Sequence, residues 1–299
     1  MRSQFAAAVA LTVIAAGTLT AQRGVFRARR DLVSISVSVK RGNSPIANLR
    51  SGDFALFDND VAQQIDALTI ESVPLDVTLF MDTSGSTSGA LDRMKRDVAS
   101  IAAMLRADDR FRLLTIGLTV QTAVPWQPAG KPIALDMAAV PGISLIYDAL
   151  VVALAHQPDA GRRHLIVALT DGEDCGSVAD GRRILEMSGR SEAVLHWIYV
   201  SNSGDTPDFS ISAWCTPHDA REVDYTGATA ERTGGRKHRS RFGDPAVQTF
   251  AQILDEFRRS YVLRYSPENV PPAGWHRVRV DVPGQSGLTI KARSGYFGA

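Results

Sequence analysis

Two strand-length runs dominate the apolar pattern of the chain: Leu75 to Met81 and His164 to Thr170. Neither alternates strictly with polar residues, and each passes directly into an acid, Asp82 and Asp171. Runs of this kind predict strands covered on both faces, as in a parallel sheet. Arg112 to Thr119 and Val194 to Val200 are further strand candidates, and helical patterns occupy Gly89 to Arg106, Leu145 to His156, Ala179 to Gly189 and Ala246 to Arg258. In the first helix Leu91, Met94, Val98, Ile101, Ala102 and Leu105 share one face at helical spacing. Alternating strands and helices predict an α/β fold with a doubly wound, mostly parallel sheet over residues 74–259. Its ligand site is expected where the strand order switches, outside the carboxyl ends of the strands.

The two ends of the chain follow a period of two instead. Val33, Ile35, Val37 and Val39 alternate with Ser34, Ser36 and Ser38, the mark of a half-buried antiparallel strand. More β sequence follows to Ile70, broken by turn residues at Asp58-Asn59-Asp60. At the other end, Ser260 to Tyr265, the alternating Val278, Val280 and Val282, and Leu288 to Ala292 predict strands. A β unit of residues 31–72 is too short to enclose a core of its own. The economical arrangement is one small all-β module built from 31–72 and 260–297, with the α/β domain inserted between them. Two unrelated β appendages are the alternative.

Composition narrows the class only slightly. The 299 residues are 44% hydrophobic and 22% charged, a globular composition, and the net charge of +1 offers no electrostatic footprint for nucleic acid. The N-terminus does add something. A short positive start, an apolar Phe5 to Leu19 and small residues at Thr20-Ala21 have the layout of a signal peptide over residues 1–21. The expected location is therefore secreted or periplasmic, with an uncleaved anchor as the alternative. No internal segment approaches the roughly 20 apolar residues of a membrane span. Export would place Cys175 and Cys215 where one disulfide can form, the alternative being two independent thiols.

Candidate chemistry gathers at the strand ends. Asp82, Ser84 and Ser86 offer a carboxylate and two hydroxyls, hard oxygen donors suited to Mg²⁺, Ca²⁺ or Mn²⁺. The six histidines lack zinc spacing, and neither a Walker loop nor a Gly-x-Ser-x-Gly elbow is present. The basic run Gly235 to Arg241 reads as a solvated loop or as a patch for anionic polymers. The Gly- and Thr-rich Asn202 to Gly243 reads as a binding loop or a partly disordered stretch.

Three stretches, in order, carry a family resemblance. Asp82-Thr83-Ser84-Gly85-Ser86 resembles the Asp-x-Ser-x-Ser of the metal-ion-dependent adhesion site in von Willebrand factor A domains. Gly142-Ile143-Ser144-Leu145-Ile146-Tyr147-Asp148-Ala149-Leu150 resembles the family's Gly-Gly-Thr-x-Leu-Tyr-Asp-Ala-Leu, with Ser144 in place of Thr and Ile143 in place of the second Gly. The apolar strand ending in Thr170-Asp171-Gly172 resembles the third motif. Softer matches at the flanks, among them Glu256 to Tyr265 and Ala292 to Phe297, are similar to an exported subfamily abundant in Acidobacteria.

The resemblance implies one Mg²⁺, with Ca²⁺ or Mn²⁺ as alternatives, held by Asp82, Ser84, Ser86, Ser144 and Asp171. It further implies an open coordination position that takes an Asp or Glu carboxylate from a protein partner, hence a binding or adhesion protein and not an enzyme. Ser144 keeps the hydroxyl, whereas Ile143 is expected to narrow the loop above the ion. Two other functions stay open at this point. One is a hydrolase using Ser84, Ser86 or a metal-activated water; the other is a structural envelope component with a vestigial metal site. A shared ion requires Ser144 and Asp171 to approach Asp82.

Overall fold

The computed structural model describes residues 32–70, 73–138, 142–170, 174–200, 224–239 and 245–298. The expected signal peptide, Asp171 and Cys215 lie outside the described residues. In β1 (Val33–Arg41) the alternation becomes geometry: Ile35, Val37 and Val39 are buried and the serines between them half-buried. The short β2 (Ser44–Pro45) folds back on its end. Next come β3 (Ala55–Asp58), β4 (Val61–Gln63) and β5 (Ala67–Ile70). Asn59 and Asp60, both at positive φ, form the two-residue turn between β3 and β4, a conformation that matches strand twist and that Asn and Asp tolerate.

The central layer runs through β6 (Leu75–Asp82), α1 (Leu91–Ala103), β7 (Arg110–Ile116), β8 (Val120–Pro128) and α2 (Ile146–Leu154). It continues with β9 (Arg163–Thr170), α3 (Gly181–Arg190), β10 (Val194–Tyr199), α4 (Tyr225–Thr233), β11 (Lys237–Arg239) and α5 (Ala246–Arg258). The chain leaves through β12 (Tyr261–Tyr265), β13 (Gly274–Asp281), β14 (Leu288–Ala292) and β15 (Gly295–Gly298).

Among the described residues the central sheet has the order β11-β10-β9-β6-β7-β8. Every neighbouring pair is parallel except β7 with β8. All of β6 and all of β9 are buried, as their unbroken apolar runs predict. Val77, Leu79 and Met81 pack under α1 and α5, whereas Phe80, Ile166 and Ala168 pack under α2, α3 and α4. The sheet is therefore doubly wound. From β6 the chain moves to β7 on one side, then returns through α2 to β9 on the other. The carboxyl ends of β6 and β9 thus flank the point where the order switches, which is where this architecture opens a crevice.

Two sequence readings are corrected here. The basic run from Gly235 is in its described part no solvated loop: Lys237–Arg239 form the parallel edge strand β11 against β10. Within the stretch read as a long loop, Tyr225–Thr233 is the helix α4, capped by Asp224, whose carboxylate accepts from Gly227 N–H at 2.9 Å. A three-residue polar strand and a helix rich in Thr carry too little apolar periodicity to be read locally.

The end segments interleave. One sheet has the order β14-β1-β12-β5 with β2 on β1, and the other β15-β13-β3-β4, so each contains strands from both ends of the chain. Ile35, Val37, Leu56, Tyr261, Leu263, Val278 and Val280 share one core between them. A fully buried acid sits inside that core. Asp58 accepts from Tyr265 and Tyr296 hydroxyls, each at 2.9 Å, and from His276 Nδ1 at 2.8 Å.

Side chains also bind the β-sandwich to the α/β layer. Glu256 of α5 accepts from Ser38 at 2.8 Å and Lys40 at 3.3 Å on β1, and from Arg236 at 2.6 Å. Burial alone would raise the Glu256 carboxyl. The Arg236 and Ser38 hydrogen bonds and the Arg236 and Lys40 charges outweigh it and hold the group down, from 4.5 to about 2. A depressed folded-state value means a contribution complete above the unfolded value and lost as pH falls from about 4.5 toward 2. Glu256→Gln is therefore expected to flatten the acid side of a melting-temperature profile between pH 6 and 2.5. A profile parallel to wild type would show that this ion cluster does not set acid stability.

Candidate metal centre

Asp82 ends β6 with its side chain fully buried. Ser84 N–H donates to its Oδ1 at 2.9 Å, and the Thr170 hydroxyl at the end of β9 donates to Oδ2 at 2.7 Å. The Ser144 hydroxyl, on the loop entering α2, lies 3.2 Å from both carboxylate oxygens. Three separate parts of the chain thus meet at one carboxylate. The turn after it is fixed as well: Thr87 Oγ1 donates to the carbonyls of Asp82 at 2.9 Å and Ser84 at 3.2 Å. Thr83 Oγ1 ties the same turn to β7 through the Ile116 carbonyl at 2.9 Å.

The Ser144 loop is braced against the segment that follows β9. Cys175 N–H donates to the Ser144 carbonyl at 2.9 Å, and Asp174 accepts from Tyr147 N–H at 2.9 Å and Ser177 Oγ at 2.6 Å. In return, Asp148 accepts from the amides of Val178 at 3.0 Å and Ala179 at 2.8 Å. Burial raises the Asp174 carboxyl, against the hydrogen bonds from Ser177 and the helix amides. Cys175 is disulfide-bonded. Ile143 turns toward Gly176, where its Cδ1 lies 2.7 Å from the position of a Cβ. Gly176 has φ +96°, so a side chain there would meet both strain and Ile143.

Of the five candidate ligands, Asp82, Ser84 and Ser144 come together at the switch point. Ser86 lies in the 3₁₀ turn Gly85–Ala90, with its side chain outside the description. Asp171 is also outside it, but its neighbour Thr170 touches Asp82 directly. Thr170, Thr87 and Asp174 position the site without having been singled out in the sequence. Thr170 stands inside the third motif, whereas Thr87 and Asp174 lie just beyond the quoted motifs, and only the fold reveals where their hydroxyl and carboxylate groups point.

The residues fit a hard cation. Asp82 is a buried carboxylate whose contacts among the described residues are neutral hydroxyls and an amide, with no ion pair. An uncompensated buried charge is costly, and a cation that prefers oxygen ligands would compensate it. Among the described residues no group of three or more His, Cys, Asp or Glu gathers in metal-holding geometry, so the donors here are hydroxyls around one acid. The described histidines lie elsewhere: His156 and His164 beside Asp76 and Thr78 near the start of β6, His196 against His238, and His276 in the sandwich.

No family model matches the chain, and no curated protein matches it. Solved structures do. One is an aerotolerance-related membrane protein from Bacteroides fragilis, at 16% identity and TM-score 0.43, covering 62% of this chain and 99% of that one. Another is a von Willebrand factor type A protein from Catenulispora acidiphila, at 12% identity and TM-score 0.47, covering 91% and 75%. A third is proximal thread matrix protein 1 from the mussel byssus, solved with a zinc-occupied MIDAS motif, at 13% identity and TM-score 0.46, covering 67% and 49%. No helix among the described residues is long and apolar enough to cross a membrane.

Proposed function

We infer that the chain is an exported binding protein of the von Willebrand factor A type, which engages a carboxylate-bearing protein partner through a divalent cation. The observation that carries this reading is the buried Asp82 carboxylate at the switch point, met by Ser84, Ser144 and Thr170 and by no cationic side chain among the described residues. Asp82, Ser84, Ser86, Ser144 and Asp171 would hold the ion, and Thr170 would orient Asp82. Hard oxygen donors favour Mg²⁺, with Ca²⁺ or Mn²⁺ as alternatives. Bound there, the ion would supply residual positive charge toward an outside carboxylate. The braces at Asp148, Asp174 and Cys175 support the reading, because a ligand set drawn from distant segments needs rigid loops.

In this reading the protein binds and does not catalyse. A pull-down from the native envelope in millimolar Mg²⁺ is expected to retain a partner that EDTA releases and that Ser144→Ala fails to capture. Equal recovery with and without chelator would overturn the proposal.

A further inference from the structure

Two histidines meet where β11 closes one edge of the central sheet, three strand positions from β6. His196 of β10 is 4% exposed, and its Nδ1 lies 2.9 Å from Nε2 of His238 on β11, so one ring donates and the other accepts. The short β11 has little else to hold it. Lys237 and Arg239 are exposed, and only His238 between them is half-buried. On the opposite face Lys237 pairs with the exposed cap residue Asp224 at 2.6 Å. The chain reaches β10 through a tight approach: a Cβ on Gly235 would stand 1.8 Å from the Leu195 carbonyl oxygen, which only glycine avoids.

The charged groups that face the two rings, among the described residues, are Arg236 at the entry to β11, Glu256 on α5 and Lys40 on β1. On the other side of β10 the neighbour of His196 is the apolar Val167 of β9. Burial, followed by the His238 ring and Arg236, pulls His196 from the ordinary imidazole value of 6.5 to about 3. Burial, followed by Arg236 and Lys40, pulls His238 to about 4. Glu256 acts the other way on both rings and is outweighed. The two rings are therefore neutral at pH 7 and share one hydrogen bond. A proton on each would leave two donors facing one another with no acceptor.

We propose that the His196–His238 pair is an acid-released latch, which docks β11 on the central sheet at neutral pH and frees the segment from Gly235 to Arg239 when it is protonated. The docked values lie below 6.5, so the released segment binds more protons than the docked one. The latch is complete above about 6.5 and is lost as pH falls from there toward 4. For His238 alone the release equilibrium rises roughly twentyfold between pH 7 and 5. Glu256, held at about 2, stays ionised throughout that window, so the histidines and not the acid set it. Release would open the edge of β10 at Trp197, Ile198 and Tyr199, which β11 covers.

Amide hydrogen exchange of the full chain at pH 7 and pH 5, corrected for the intrinsic pH dependence of exchange, tests the latch. Protection of the Trp197 N–H, which donates to the Arg236 carbonyl at 3.1 Å, and of the β11 amides is expected to fall roughly twentyfold or more, while β6 and β9 keep theirs. His238→Gln, whose amide serves His196 as donor or acceptor without titrating, is expected to shrink the fall, and the double variant with His196→Gln to abolish it. Proton NMR titration of the wild-type rings needs no variant, and both are expected to be neutral at pH 6. Equal protection of β11 at the two pH values, a loss shared by β6 and β9, or a double variant that responds like wild type would overturn the proposal. So would either ring charging near 6.5 while β11 stays protected.

Discussion

Asp82→Asn is expected to abolish the response of the fold to Mg²⁺. A cation present at about a hundredfold its Kd stabilises the folded state by about 2.7 kcal/mol, or roughly 5–10 °C in melting temperature for a chain of this size. Wild type should show that difference between millimolar Mg²⁺ and EDTA, and the variant should show none. The comparison in EDTA has the opposite sign. Without a cation, wild type keeps a buried carboxylate whose contacts among the described residues are neutral. Asparagine removes that charge, still accepts from Ser84 N–H, and turns its amide donor toward the Ser144 and Thr170 hydroxyl oxygens. The variant in EDTA should therefore be at least as stable as wild type. A Mg²⁺ response that survives the substitution would remove Asp82 from the centre of the site.

The largest loss of stability is expected from Asp58→Ala in the sandwich. The substitution leaves the Tyr265 and Tyr296 hydroxyls and His276 Nδ1 without their shared acceptor, in a core where Asp58 is 0% and His276 1% exposed. Breaking a buried charged network from one side costs about 3–5 kcal/mol. Asp60→Asn, two residues on, keeps a residue that tolerates the positive φ of the turn, removes only an exposed ion pair with Arg277 and should stay within about 0.5 kcal/mol. Urea unfolding followed by far-UV circular dichroism and by total tryptophan fluorescence measures both, since one of the four tryptophans, Trp275, packs edge-on against Phe297 at 5.2 Å within this module. A cost below about 1 kcal/mol for Asp58→Ala would mean that the tyrosines and the histidine find other partners. Asp58 gives no hint of this role in the sequence, where it reads as a turn residue.

Ile143 illustrates how far local reading reaches at the site. Its departure from the family pattern is visible in the sequence, and the expected consequence was a narrower loop above the ion. Its side chain turns against Gly176, a glycine at positive φ on the braced segment after β9. Side-chain direction on a loop is set by what packs beside it, and that neighbour is 33 positions away.

The sequence by itself determined whatever depends on a local period. The apolar face of α1, the doubly covered β6 and β9, the alternating β1 and the acid at the end of β6 follow from spacings of two or 3.6 residues, which act over a single element. Tertiary structure alone decided which elements meet. It brought Ser144 within 3.2 Å of a carboxylate 62 positions earlier and gave Asp58 donors more than 200 positions away. It also made an edge strand of Lys237–Arg239 and left a crevice between the sandwich and the central sheet. Such contacts arise when separated segments bury their apolar faces together, and hydrophobic burial is non-directional along the chain, so it leaves no periodic trace in either segment.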